Sequence, residues 1–355
     1  MWWHPHKFAE KKPYLEARSK VLRSIRAWFD VQGFQEVETP ILQVCPVMDA
    51  HIHGFRTEVL KADLSHDRDM YLHTSPEFAM KKLMVAGLPK IYQICHVFRN
   101  GEGSRLHGLE FSMLEWYRAP GGYRDIMGDC IGLLRRVAED LGITHYKFRG
   151  MEADPFAEWN IISVEGAFER YAGICLGDYL PPHPPAARVP PSPHGGEGVT
   201  DAFREKIASL NIRVAPDDRW DDLFFRVMAE KIEPHLGVGV PCILYDYPVS
   251  MASLARRKPE DPRFAERFEM YVCGVELCNA FGELTDPAEQ RRRFQEEMEL
   301  KEKLYGYRYP PDEEFFKALE YGLPESGGNA LGIDRLVMLA TGADDIEQVL
   351  WTGKP

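Results

Sequence analysis

Between Ile91 and Tyr117 the chain changes its hydrophobic rhythm twice. An apolar run (Ile91, Ile94, Val97, Phe98) ends in Arg99, and a polar loop with Gly101, Gly103 and Gly108 follows. Strict alternation then sets in. Leu109, Phe111, Met113, Glu115 and Tyr117 fall on one face, and Glu110, Ser112, Leu114, Trp116 and Arg118 on the other, which is the period of a strand. The stretch predicts strand, long loop, strand. Glu115 shares its face with Phe111 and Met113, and a half-buried carboxylate needs a cation or a hydrogen-bond donor. Tyr117 points the same way and carries a phenolic oxygen. An ordinary hairpin with charges at a solvated rim is the plainer reading.

The rest of the chain alternates between the two periods. Residues 14–32 predict a helix, with Val21, Leu22, Ile25, Trp28 and Phe29 on one face and Gly33 just past the end. Phe34 to Pro40 reads as a short extended piece at an edge or interface, because proline cannot donate to a ladder. Tyr71 to Lys82 reads as a strand into a helix. Pro76 lies in the first turn and Glu77 near the N-terminus, where a carboxylate is favoured in its own right. Helical periodicity returns over Tyr123–Leu141 and 217–235, and Cys242–Tyr247 reads as a buried strand. The Pro/Gly-rich stretch at about 181–198 predicts an insert rather than a domain boundary, since helical pattern resumes near Asp201.

Two later stretches carry polar residues among apolar ones. Phe268–Glu283 predicts extended structure broken at Gly274, holding Glu276, Asn279 and Glu283. Two carboxylates and an amide can hold a divalent cation through oxygen, or be satisfied by backbone donors. Asp286-Pro287-Ala288-Glu289 reads as a capping box opening a charged helix. Gly327–Gly342 reads as a glycine-rich lead into a helix with Ile333, Leu336, Val337 and Ala340 inward and Arg335 in the first turn. That arrangement suits an anion at a helix N-terminus. His51 and His53 form an HxH pair, more simply a surface loop than a metal pair.

Composition narrows the class. The chain has 355 residues, 45% apolar and 28% charged, the balance of a globular enzyme, and a net charge of −12 that disfavours a broad grip on a nucleic-acid backbone. Its seven cysteines never form CxxC, which favours free thiols over disulfides or zinc. No window approaches the roughly 18 consecutive apolar residues of a membrane span, and the N-terminus lacks the apolar core of a signal peptide. A cytoplasmic location and no membrane partner are expected.

In order, the motifs are TSPEF (74–78), FRN (98–100), EFSMLEWY (110–117), VELCNAFGELTD (275–286) and ALGIDRLVML (330–339). This series resembles the catalytic domain of class II aminoacyl-tRNA synthetases, and its wording resembles the lysine branch. Only about a dozen residues precede the first helix of that resemblance. An anticodon-binding barrel of roughly 100 residues, an OB-fold, is therefore expected to be missing. The chain thus resembles the truncated elongation factor P–lysine ligases, and Ala330 agrees, where the tRNA synthetases usually have glycine.

The resemblance implies one α+β domain over residues 1–355, a mostly antiparallel sheet flanked by helices, and a homodimer. It implies ATP and Mg²⁺, lysine or (R)-β-lysine as substrate, elongation factor P as acceptor and no tRNA. Arg99 would hold the α-phosphate, Arg335 the γ-phosphate, and Glu276 with Glu283 the Mg²⁺; Arg99, Arg335 and Glu276 are the implied catalytic residues. Asn100, Glu102, Gly108, Leu277 and Gly332 would complete the nucleotide site. Ser75, Pro76, Glu77, Glu115, Tyr117, Asn279, Glu283 and Ala330 would surround the amino acid. Two positions depart from the family pattern. Gly101 then Glu102 follow Asn100, and Gly108-Leu109 replaces Asn-Pro, leaving Glu102 or backbone for the adenosine contacts. A tRNA-lysylating enzyme and a catalytically silent lysine-binding paralog are the rival readings.

Overall fold

Apolar alternation builds the central sheet, and helical stripes cover one side of it. The computed structural model describes residues 1–181 and 197–353. Helices, in chain order, are α1 (Pro5–Val31), α2 (Glu77–Val85), α3 (Tyr123–Leu141), α4 (Val164–Ala172), α5 (Glu197–Ala208), α6 (Trp220–Val227), α7 (Pro287–Tyr305), α8 (Glu313–Gly322) and α9 (Ile333–Thr341). Strands are β1 (Gln35–Glu36), β2 (Leu42–Gln43), β3 (Phe55–Leu60), β4 (His66–Leu72), β5 (Lys90–Phe98), β6 (Glu110–Arg118), β7 (Tyr146–Phe148), β8 (Met151–Ala153), β9 (Asn160–Ser163), β10 (Cys242–Pro248), β11 (Phe264–Val272), β12 (Val275–Gly282) and β13 (Gly327–Gly332).

Eight strands form one sheet in the order β1-β5-β6-β13-β12-β11-β10-β9. Only the two outermost pairings, β1 with β5 and β9 with β10, are parallel. The fold is the expected α+β domain with a mostly antiparallel sheet. Register on β6 separates the two faces. Leu114 and Trp116 join the large core with α1, α3 and α9. Phe111 and Met113 line the cavity on the opposite face. Among the described residues three smaller cores lie outside it, one under α4–α6, one between α2, α7 and α8, and a small one of Val249, Ala252, Ala255 and Ala265. No helix among the described residues is long and apolar enough to cross a membrane.

Several elements differ from the sequence reading for local reasons. Helix α1 starts at Pro5, well before residue 14, because its first two turns are mostly solvent-facing and show no apolar repeat. It ends as expected, with Gly33 at φ +75°. The 217–235 helix leaves regular α geometry after Val227 and continues as a π turn and a 3₁₀ turn to His235. Asp286 caps α7 through Ala288 and Glu289 N–H groups, but the reciprocal half of the capping box is absent. The Glu289 carboxylate is taken instead by Arg257, Arg292 and Arg293, which hold its pKa down at about 2 against the opposing effect of burial. The 181–198 insert falls almost wholly outside the described residues.

Candidate active site

A cavity of about 220 Å³ opens on the sheet face away from α1 and α3. Neighbouring strands feed it in register. Ala330 on β13 lies opposite Glu115 on β6 and Asn279 on β12, and Gly328 lies opposite Tyr117. Small residues on β13 therefore leave room in the middle of the floor. A Cβ at Gly328 would come within 2.3 Å of both Glu283 Oε1 and the Tyr117 ring, so only glycine allows those two side chains to approach.

At one end of the cavity three carboxylates gather. Ser75 Oγ donates to Glu115 Oε2 at 2.7 Å, and Tyr117 OH donates to Glu115 Oε1 at 2.6 Å. Lys81 Nζ sits 2.5 Å from Glu77 Oε1 and 2.6 Å from Glu283 Oε2. Glu283 Oε1 is buried with no hydrogen-bond partner. Burial, then the charge of Glu77, pushes the Glu115 carboxyl far above the usual carboxylate range. Burial also raises Glu283, with Lys81 pulling the other way. For Lys81, burial alone would lower the pKa, but Glu283 and Glu77 outweigh it and the ammonium is held charged. Three carboxyl groups face one lysine here, and a cationic ligand would complete their pairing and favour their ionised forms.

The other end is rich in guanidinium groups. Arg99, Arg267 and Arg335 all line the cavity. Arg99 packs over the Phe111 ring at 5.3 Å, and its buried Nε has no hydrogen-bond partner. Arg335, in the first turn of α9, donates to the Glu276 main-chain oxygen at 2.7 Å and to His107 Nε2. His107 Nδ1 faces Ser104 Oγ at 2.8 Å. Desolvation, then Arg335, lowers the His107 pKa, so the ring is a neutral acceptor. Asp334 beside Arg335 is buried against Arg18 of α1, and its other oxygen accepts from the Ser112 N–H at 2.8 Å. These bonds tie α1, β6 and α9 together and fix where Arg335 points.

A β-bulge decides the position of Glu276. On β12, Glu276 pairs with Tyr271 and Cys278 with Met270, so Leu277 is the extra residue. The change of parity brings Glu276 to the cavity alongside Asn279. The Glu276 side chain is 41% exposed yet walled in by protein. Desolvation, then the charge of Glu269, raises its pKa, while Arg335, Arg267 and Arg99 pull it down.

Among the expected residues, Ser75, Glu77, Arg99, Glu102, Gly108, Glu276, Leu277, Asn279, Ala330, Gly332 and Arg335 line one cavity. Glu115, Tyr117 and Glu283 form its buried floor behind Ser75. Two residues stand apart. Pro76 is the N-cap of α2. The Asn100 side-chain oxygen accepts from Gly101 N–H at 2.9 Å, and its own N–H bridges to His53.

One pairing is corrected. Glu276 on β12 and Glu283 just past its end lie seven residues apart along extended chain, roughly 20 Å at about 3.3 Å per residue, so they cannot share an ion. Among the described residues no three His, Cys, Asp or Glu side chains gather as a metal site. Mg²⁺ needs only one or two carboxylates when phosphates and water supply the rest, and Glu276 fits that role; the Asn279 amide oxygen already accepts from Arg267 Nε–H at 3.1 Å. The buried Glu115 also has more partners than expected, two hydroxyls before any ligand arrives. Lys81, His107 and Arg267 escaped the sequence reading. Lys81 lies one turn beyond Glu77, a spacing that could have revealed the pair; the other two sit in stretches without a periodic signal.

A family model for tRNA synthetases class II (D, K and N) matches residues 7–354. The chain belongs to the class II synthetase family. Within that family it is 36% identical over 343 residues to the lysine–tRNA ligase of Pelotomaculum thermopropionicum, covering 96% of this chain and 63% of that protein. It spans less than two thirds of that relative. The elongation factor P–(R)-β-lysine ligase of Vibrio atlanticus is 34% identical over 350 residues, covering 98% of this chain and 96% of its own. The ligase of the same name from Klebsiella pneumoniae (strain 342) is 36% identical over 341 residues, covering 95% and 94%.

Proposed function

We propose that this class II synthetase relative is an ATP-dependent ligase. It activates lysine or (R)-β-lysine as an aminoacyl-adenylate and passes the acyl group to a lysine side chain of elongation factor P, in the cytoplasm and as a homodimer. One observation carries the first half. A single cavity runs from Glu77, backed by the buried Glu115 and Glu283, to a cationic end (Arg99, Arg267, Arg335), and the first matches a diamino acid, the second a triphosphate. The near end-to-end similarity to two ligases named for elongation factor P supports the second half.

In activation, a carboxylate oxygen of the amino acid attacks the α-phosphorus of ATP, and the bond to the pyrophosphate oxygen breaks. Catalysis is then mostly positioning and charge stabilisation. Arg99 presents its free Nε edge to the α-phosphate as a planar fork. Arg335 exchanges His107 for the γ-phosphate, which His107 permits by being neutral. Glu276 would hold Mg²⁺, which supplies charge neutralisation on the phosphates. Ser75 and Tyr117 orient Glu115 toward one substrate ammonium, Glu283 Oε1 offers a second acceptor, and Glu77 faces the other amino group. In transfer, the acceptor amine attacks the acyl carbon, the bond to the AMP oxygen breaks, and the amine loses a proton.

The test is pyrophosphate exchange into ATP with L-lysine, (R)-β-lysine and norleucine, which lacks the side-chain amine. Exchange with either lysine at least a hundredfold above norleucine is expected. Exchange with none of the three would leave a lysine-binding paralog without this chemistry. The lysine–tRNA ligase similarity favours one competing acceptor, tRNA.

A further inference from the structure

Lys81 is the one lysine in contact with the anionic floor among the described residues. It belongs to α2, four residues after Glu77, and its side chain is 1% exposed. A lysine taken out of water so completely must be paired. Its two partners come from different elements, Glu77 from the same helix and Glu283 from the end of β12. Facing the same spot are Glu115 and Tyr117 from β6, with Cys95 of β5 beside Glu115 and Arg256 acting on Glu283 from the far side.

We infer that Lys81 is a specificity-determining residue of the amino-acid pocket. Its ammonium, fixed between Glu77 and Glu283, neutralises one of three clustered carboxylates, Glu115 and Glu283 buried and Glu77 half-buried, and leaves two to be matched by a substrate with two ammonium groups. The bridge also aims both carboxylates. With Lys81 in place, Glu77 keeps one edge toward the cavity and Glu283 keeps Oε1 free. Without it the two carboxylates face each other across the gap, repel, and draw a substrate ammonium into the wrong position. This rests on the lysine reading of the floor.

The experiment is lysine-dependent pyrophosphate exchange by the whole chain, comparing the native protein with Lys81→Ala and Lys81→Met. Both variants are expected to raise the KM for lysine at least tenfold and leave the KM for ATP within twofold. Propylammonium or butylammonium is expected to restore Lys81→Ala, where the slot is open. It is expected not to restore Lys81→Met, where an uncharged chain of similar length fills it. A Lys81→Ala protein that melts early is read by the same amine series through its Tm. A lysine KM in Lys81→Met equal to the native value overturns the inference, and so does Lys81→Ala that no amine restores. Absence of exchange in the native protein is a different result, because it removes the lysine reading itself.

Discussion

Glu115 holds a proton near neutrality because burial and the charge of Glu77 push its carboxyl up to about 8, against the hydroxyls of Tyr117 and Ser75. Ser75 Oγ can accept from the protonated carboxyl and donate to the ionised one. An incoming ammonium requires the ionised form. Lysine binding at pH 7 should therefore release protons, mainly from Glu115 and in part from Glu283, whose carboxyl burial raises to about 7, and affinity should rise with pH. Calorimetry in two buffers of different ionisation enthalpy measures that release, and Glu115→Gln should reduce it. The same variant should weaken lysine by about 1.5–3 kcal/mol, roughly ten- to a hundredfold. The sign for stability is the reverse of the usual carboxylate. The folded chain keeps a proton that the unfolded one releases above its ordinary value of 4.5. That contribution is full below pH 4.5 and is lost as pH rises through about 8. Thermal melts at pH 5 and 8.5 should show a smaller drop for Glu115→Gln than for the native protein. At the other end, Glu276→Gln should cut the exchange rate constant by about 10²-fold or more, as loss of a preorganised electrostatic group does. Lysine affinity by calorimetry should stay within about threefold.

Elements bring these residues together, and two contacts between elements can be broken singly. Gly328→Ala puts a methyl group against Glu283 and the Tyr117 ring. Overpacking of this kind costs about 1–3 kcal/mol, and the lysine KM should rise more than tenfold while ATP binding holds. Arg18→Met leaves Asp334 charged and buried between α1 and α9. Breaking such a pair costs about 3–5 kcal/mol, readable by urea denaturation. Much of this was legible in the sequence, because period 2 over 109–117 and period 3.6 over 123–141 each impose one buried face. The bulge at Leu277 was not legible, because alternation along the sequence does not reveal an extra residue that turns Glu276 to the side of Asn279. Lys81 was missed for another reason. A lysine inside an amphipathic helix reads as solvent-facing, and only the distant Glu283 shows why it is buried. The notional pair of Glu276 and Glu283 failed on length alone, a strand being extended and stiff.

The whole molecule joins a chemistry to a surface. Strand β1 is short and lies at one edge of the large sheet. Just beyond it Ile41, Leu42 and Val44 are 40%, 44% and 45% exposed, an apolar strip suited to a two-fold partner. The proposed homodimer predicts that the native chain sediments as a dimer and that a paired Ile41→Asp, Val44→Asp variant sediments as a monomer at the same concentration. The central claim concerns where the activated lysine goes. Labelled (R)-β-lysine, ATP and Mg²⁺ should be incubated with the chain and with elongation factor P or tRNA in separate reactions. Label on a lysine of elongation factor P, with none on tRNA, is the predicted result. Label on tRNA, or ATP-dependent activation with no transfer to the protein, would contradict it.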